Sequence, residues 1–109
     1  MPGPSDIARG NIAFSFVLGV PFTPALIVLN TTAEQLFTVP GIQVGDVIAV
    51  NKPTTQAGLG IVNTRVSAAN QIGITFSNNT GSSIIPTAGE VYVITVDRPS
   101  NLPFPTAIT

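Results

Sequence analysis

The chain has 109 residues and a mass of 11.2 kDa, enough for one small domain. Its formal net charge is −1 and only 8% of its residues are charged, so Arg9, Lys52, Arg65 and Arg98 are too few to neutralise a run of phosphates, and no nucleic-acid partner is expected. With no His and no Cys, the usual zinc sites, thiol redox chemistry, disulfides and His-based triads are excluded; no metal, no cofactor and no catalytic residues are expected.

A hydrophobic content of 44% and a mean hydropathy of +0.47 set the chain apart from disordered sequences. The kind of apolar residue is informative. There are 12 Val and 12 Ile against 6 Leu, with 13 Thr besides. Such β-branched side chains are stiff at χ1 and sit best on a pleated sheet. Ten Gly and ten Pro at short intervals suit turns between short strands. The chain reads as all-β.

In chain order, residues 1–11 read as an extended N-terminal arm, because Met1-Pro2-Gly3-Pro4-Ser5-Asp6 has no apolar period. From Asn11 to Ala33 there is no charge. Ile12–Leu18 and Ala25–Leu29 read as two strands joined by a bend at Val20–Pro24, uncharged because both faces are covered. The stretch is long enough to span a membrane. Pro21 and Pro24 at its centre oppose a helix, at about 3 kcal/mol for each interior proline. Asp6 and Arg9 cancel where an export signal needs positive charge. No membrane association is expected.

Glu34–Val39 reads as a strand closed by Pro40-Gly41, a pair suited to a type II turn. Val47–Asn51 is the next strand, ended by Lys52-Pro53, with a polar loop over residues 54–60. Ile61–Ser67 and Gln71–Ser77 read as a hairpin around Ala68-Ala69-Asn70; in its second arm Ile72, Ile74 and Phe76 alternate with Gly73, Thr75 and Ser77. Residues 78–83 form a loop and Pro86–Gly89 a turn. Val91–Val96 is nearly continuous in apolar residues, the pattern of a central strand covered on both faces. Residues 98–109 form a Pro-rich tail anchored only by Leu102 and Phe104. Six or seven short strands over residues 12–97 give a single β-sandwich or jelly-roll-like barrel.

Possible sites are few. The acids Asp6, Glu34, Asp46, Glu90 and Asp97 are scattered singly, with Asp46 and Glu90 at strand entries and Asp97 at a strand exit, which is not a catalytic or metal-binding constellation. Gly58-Leu59-Gly60 precedes a strand and reads as a loop. Asn30-Thr31-Thr32 and Asn78-Asn79-Thr80 match the glycosylation sequon, with Asn78 expected in an exposed loop. Arg65 is expected to face water or an acid of another subunit. A chain this small buries roughly 60–70% of its unfolded surface, so much apolar surface faces outward or into a partner. A homo-oligomer follows, with the proline-rich ends reaching neighbours.

Over Glu34–Asp97 the chain resembles small structural proteins of tailed bacteriophages, particularly head decoration (cement) proteins. The residues concerned are Val39-Pro40-Gly41-Ile42-Gln43-Val44-Gly45-Asp46, Asn51-Lys52-Pro53, Gly58-Leu59-Gly60-Ile61, Arg65-Val66-Ser67-Ala68-Ala69-Asn70, Ile74–Asn78 and Pro86–Glu90. The similarity is one of style and turn order. It implies a non-enzymatic virion protein on the capsid outer surface, often a trimer, that clamps major capsid protein subunits. The same pattern resembles phage neck, tail and fibre modules; a secreted adhesin or carbohydrate-binding domain is a further alternative. For the decoration reading, the expected contact residues are Pro2, Pro4, Ile7, Ile12, Phe14, Arg98, Leu102 and Phe104.

Overall fold

The computed structural model describes residues 10–108, so the expected arm residues Pro2, Pro4 and Ile7 lie outside the described residues. Six strands form within them: β1 (Ile12–Phe22), β2 (Thr31–Thr38), β3 (Val47–Asn51), β4 (Leu59–Ala68), β5 (Gln71–Asn78) and β6 (Glu90–Pro99). They make two antiparallel three-stranded sheets, ordered β1-β6-β3 and β2-β5-β4, and the described residues contain no helix. The all-β reading holds, for the reason the β-branched composition gives.

The two central strands supply most of the core. Ile72, Ile74 and Phe76 of β5 and Tyr92, Ile94 and Val96 of β6 are buried in one cluster with Phe22, Ile27, Val39 and Ile42. The Phe22 ring lies 4.5 Å from Phe37 and 5.3 Å from Tyr92, centroid to centroid, tying β1 to both sheets. Strand period therefore decides which side chains point inward, and alternate residues of one strand share one face.

Turn chemistry fixes the connections. Ile42 N–H donates to Val39 O at 3.3 Å around Pro40-Gly41, and Gly41 has φ +92°, as a type II turn requires. The β4–β5 hairpin turns through Ala69-Asn70, with Asn70 at φ +62°. Asn70 then ties this hairpin to the Pro40-Gly41 turn: its N–H donates to Ile42 O, its carbonyl accepts from Val39 N–H, and its side-chain oxygen accepts from Gly41 N–H at 2.8 Å.

Several expectations are corrected. Ala25–Leu29 is not a strand. Only Ile27 is buried there, joined to Ile84 by reciprocal backbone hydrogen bonds of 2.7 and 3.0 Å, while Leu26, Val28 and Leu29 are exposed. Pro21 lies inside β1 and does not end it; β1 is an edge strand, where a missing N–H is tolerated. β6 is central as expected, yet only one of its faces is covered: Tyr92, Ile94 and Val96 are buried, whereas Val91 and Val93 are exposed. Arg98 and Pro99 belong to β6 and not to the tail, pairing with Phe14 and Ile12 of β1.

Candidate interaction surface

Three ion pairs take up six of the seven charged side chains among the described residues. In the first, the Arg98 guanidinium makes two 2.8 Å hydrogen bonds to the buried Asp46 carboxylate and a third, of 3.0 Å, to Gly41 O. The guanidinium carbon also lies 4.6 Å from the centre of the Phe14 ring, a cation–π contact. These bonds, with one from Gln43 N–H, hold Asp46 below the usual carboxylate range. Arg98, expected as a partner contact, is thus engaged within its own chain.

The second pair crosses a strand. Glu34 on β2 accepts two hydrogen bonds from Arg65 on β4, of 2.7 and 2.8 Å, above Gly73 of the intervening β5. A Cβ at Gly73 would stand 2.7 Å from the Glu34 Cδ, so the missing side chain is the space the pair occupies. The Arg65 guanidinium lowers the pKa of Glu34. Arg65 faces water as expected, 54% exposed, and its acid partner is Glu34 of its own chain.

In the third, Lys52 Nζ lies 2.9 Å from Glu90 Oε1 and donates to Thr54 O, while the Thr54 hydroxyl donates to Glu90 Oε2. The Thr54 and Lys52 bonds lower the pKa of Glu90. The nearby Tyr92 hydroxyl is buried without a hydrogen-bond partner; burial first, and the Glu90 charge second, raise its pKa from 10.0 to about 12. The remaining charge, Asp97, accepts from the Ser15 hydroxyl. No group of three or more acidic, His or Cys side chains placed to hold a metal occurs among the described residues.

Asn78 is also corrected. It is 1% exposed and bonded to Ile27 O, Ser82 O and Thr80, so it is a core polar link and not a loop acceptor for a glycan. No helix among the described residues is long and apolar enough to cross a membrane.

With the charges occupied, the distinctive surface is apolar. The register places Ser15, Val17, Gly19 and Pro21 of β1 beside Asp97, Thr95, Val93 and Val91 of β6, with Val47, Ala49 and Asn51 of β3 on the far side. This is the outer face of the β1-β6-β3 sheet, and Asp97 is its only charge. Val17 is 71% exposed and Val47 54%. The opposite outer face, by contrast, carries Thr32, Glu34, Thr75, Ser77 and Arg65.

Beside β1 an open cleft of about 220 Å³ is lined by Phe14, Phe16, Leu18, Pro40, Ile42 and Val96 among others. Ile12 and Phe14, expected as contact residues, are half-buried residues of β1. Residues 100–108 are exposed throughout. Leu102 lies against Gly45, and Phe104 lines a shallow cleft with Val47, Thr64 and Val66. The sequence lacked any signal for the cleft, because Phe16 and Pro40 are brought together only by folding. No family model matches the chain, and no curated protein and no solved structure matches it.

Proposed function

We propose that this chain is a non-enzymatic structural protein of a tailed-bacteriophage virion, a decoration protein that binds the outside of the head and bridges major capsid protein subunits as a homo-oligomer. The observation that carries the reading is the almost uncharged outer face of the β1-β6-β3 sheet, since a contiguous apolar surface serves a protein partner better than solvent. The occupation of the described charges in internal pairs supports a role in contact over one in chemistry. In this reading the two sheets are a small jelly-roll-like β-sandwich. The tail, whose Leu102 and Phe104 are 56% and 51% exposed, is a contact arm. Trimers are what the resemblance contributes.

Antibody labelling of intact particles from the source, imaged by electron microscopy, tests the proposal. Label spread over the head is expected. Label at one vertex or on the tail would move the protein to the neck or fibre, and particles without label would remove the virion reading.

A further inference from the structure

The four sheet edges are not alike. β2 carries Glu34, and its Gln35 side chain clasps both backbone polar groups of Ala25, at 2.8 and 2.9 Å. β4 is broken by two register shifts and carries Arg65. β3 is five residues long and runs into Lys52-Pro53. Charge, bulges, shortness and proline are the devices that keep an edge from pairing with another strand. β1 has eleven residues, no charge, a single register shift at its start and Pro21 near its end. Between these, Phe14–Val20 is an uncharged edge of regular register, apolar but for Ser15, bonded among the described residues to β6 on one side only.

β1 is also under-covered. Phe16 lies opposite Val96, on the core side of its sheet, yet is 55% exposed. A strand laid along the free edge would cover it.

We infer that this edge pairs with the β1 strand of a second copy, antiparallel about a two-fold axis at Val17. Such an axis keeps each residue opposite one of the same face, so the strand must match itself. It does. Phe16 falls opposite the partner copy's leucine at position 18 and Phe14 opposite its valine at position 20, on the core side. On the outer side Val17 meets its own counterpart and Ser15 meets a glycine. No charge opposes a like charge, and the apolar outer faces of the two sheets become continuous. A second copy supplies this match with no further requirement on its sequence.

Seven paired residues span about 24 Å, and a layer about 10 Å thick then buries of order 240 Å² per copy. That is well below the roughly 800 Å² per partner of a stable complex. The pairing is therefore reversible and concentration-dependent. It gives a dimer, where the resemblance implies a trimer, and does not depend on the virion reading.

Sedimentation velocity of the full chain from about 10 μM to about 1 mM, a range bracketing weak association, should show a monomer–dimer equilibrium. Val17→Lys places two ammonium groups together on the axis and should weaken it about tenfold or more. In this Cys-free chain, Val17→Cys should form a disulfide-linked dimer on mild oxidation, whereas Val62→Cys, also well exposed but on the other sheet, should not. A monomer throughout, a trimer, or a dimer indifferent to Val17→Lys overturns the pairing. Should Val17→Lys fail to fold, absence of the Val17→Cys link overturns it instead.

Discussion

Asp46 and Arg98, fifty-two positions apart, meet through two parallel 2.8 Å hydrogen bonds, and so join the approach to β3 to the end of β6. The same guanidinium holds Gly41 O and covers Phe14, so one side chain on β6 ties the β2–β3 connection to β1. Arg98→Gln removes the charge and leaves the buried Asp46 carboxylate without its cation. A melting temperature lower by several degrees is expected. Asp46→Asn should lower it too, and the double variant should cost less than the sum of the two. Additive losses in thermal melts would show that the two groups act separately.

Stability should fall in acid. Asp46, Glu34 and Glu90 are held below their ordinary values of 3.8, 4.5 and 4.5. The unfolded chain thus takes up protons first as the pH drops. The contribution is complete above the ordinary carboxylate range and is lost as the pH falls through the lowered values. Denaturant titrations should show stability rising with pH across that window and level from about pH 6 to 9, where no carboxylate or tyrosine titrates.

At the alkaline end Tyr92 governs. Its pKa is raised from 10.0 to about 12, so the fold favours the neutral phenol; stability is complete below pH 10 and is lost as the pH rises toward 12. It is the only Tyr in a chain without Trp, so absorbance near 295 nm reports this group alone. Ionisation is expected to coincide with unfolding. A phenol titrating near 10 in the folded protein would place its hydroxyl in contact with solvent.

Gly73 leaves the space in which Glu34 and Arg65 meet. Gly73→Ala pushes the Glu34 carboxylate aside while leaving the buried Ile72 and Ile74 in place. An NMR titration should find the Glu34 pKa moved up toward its ordinary value, with the fold retained. An unchanged pKa would mean that the pair survives by another route.

Asn78 donates to Ile27 O and Ser82 O and accepts from Thr80. Asn78→Ala leaves Ile27 O with Ile84 N–H and Ser82 O with the Thr80 hydroxyl, so the cost is that of the bonds removed, about 0.5–1.5 kcal/mol for each. Chemical denaturation should register a loss of that size. A near-zero change would mean that water replaces the side chain.

Deleting residues 99–109 removes the exposed tail and one terminal pair of β6, Pro99 with Ile12. The remaining fold should persist by circular dichroism while binding to heads weakens. Normal head binding by the truncated chain would end the contact-arm reading.

The sequence by itself determined what depends on neighbours along the chain. Period-two alternation placed Ile72, Ile74 and Phe76 on one face, Pro40-Gly41 marked its turn, and β3 kept its expected bounds at Val47 and Asn51. These are local steric preferences. Only the tertiary structure decided which segments lie side by side. Arg98 reads as the start of a tail until Asp46 is brought within hydrogen-bonding distance of it. Arg65 reads as solvent-facing, and is, but its pairing with Glu34 is decided only when β5 sets the two across Gly73. Ala25–Leu29 reads as a strand until only Ile27 finds a partner, in Ile84. Likewise, continuous apolarity in Val91–Val96 says that both faces avoid charge, but not which one the rest of the chain covers. The other face is left open because six strands can bury only one side of each sheet.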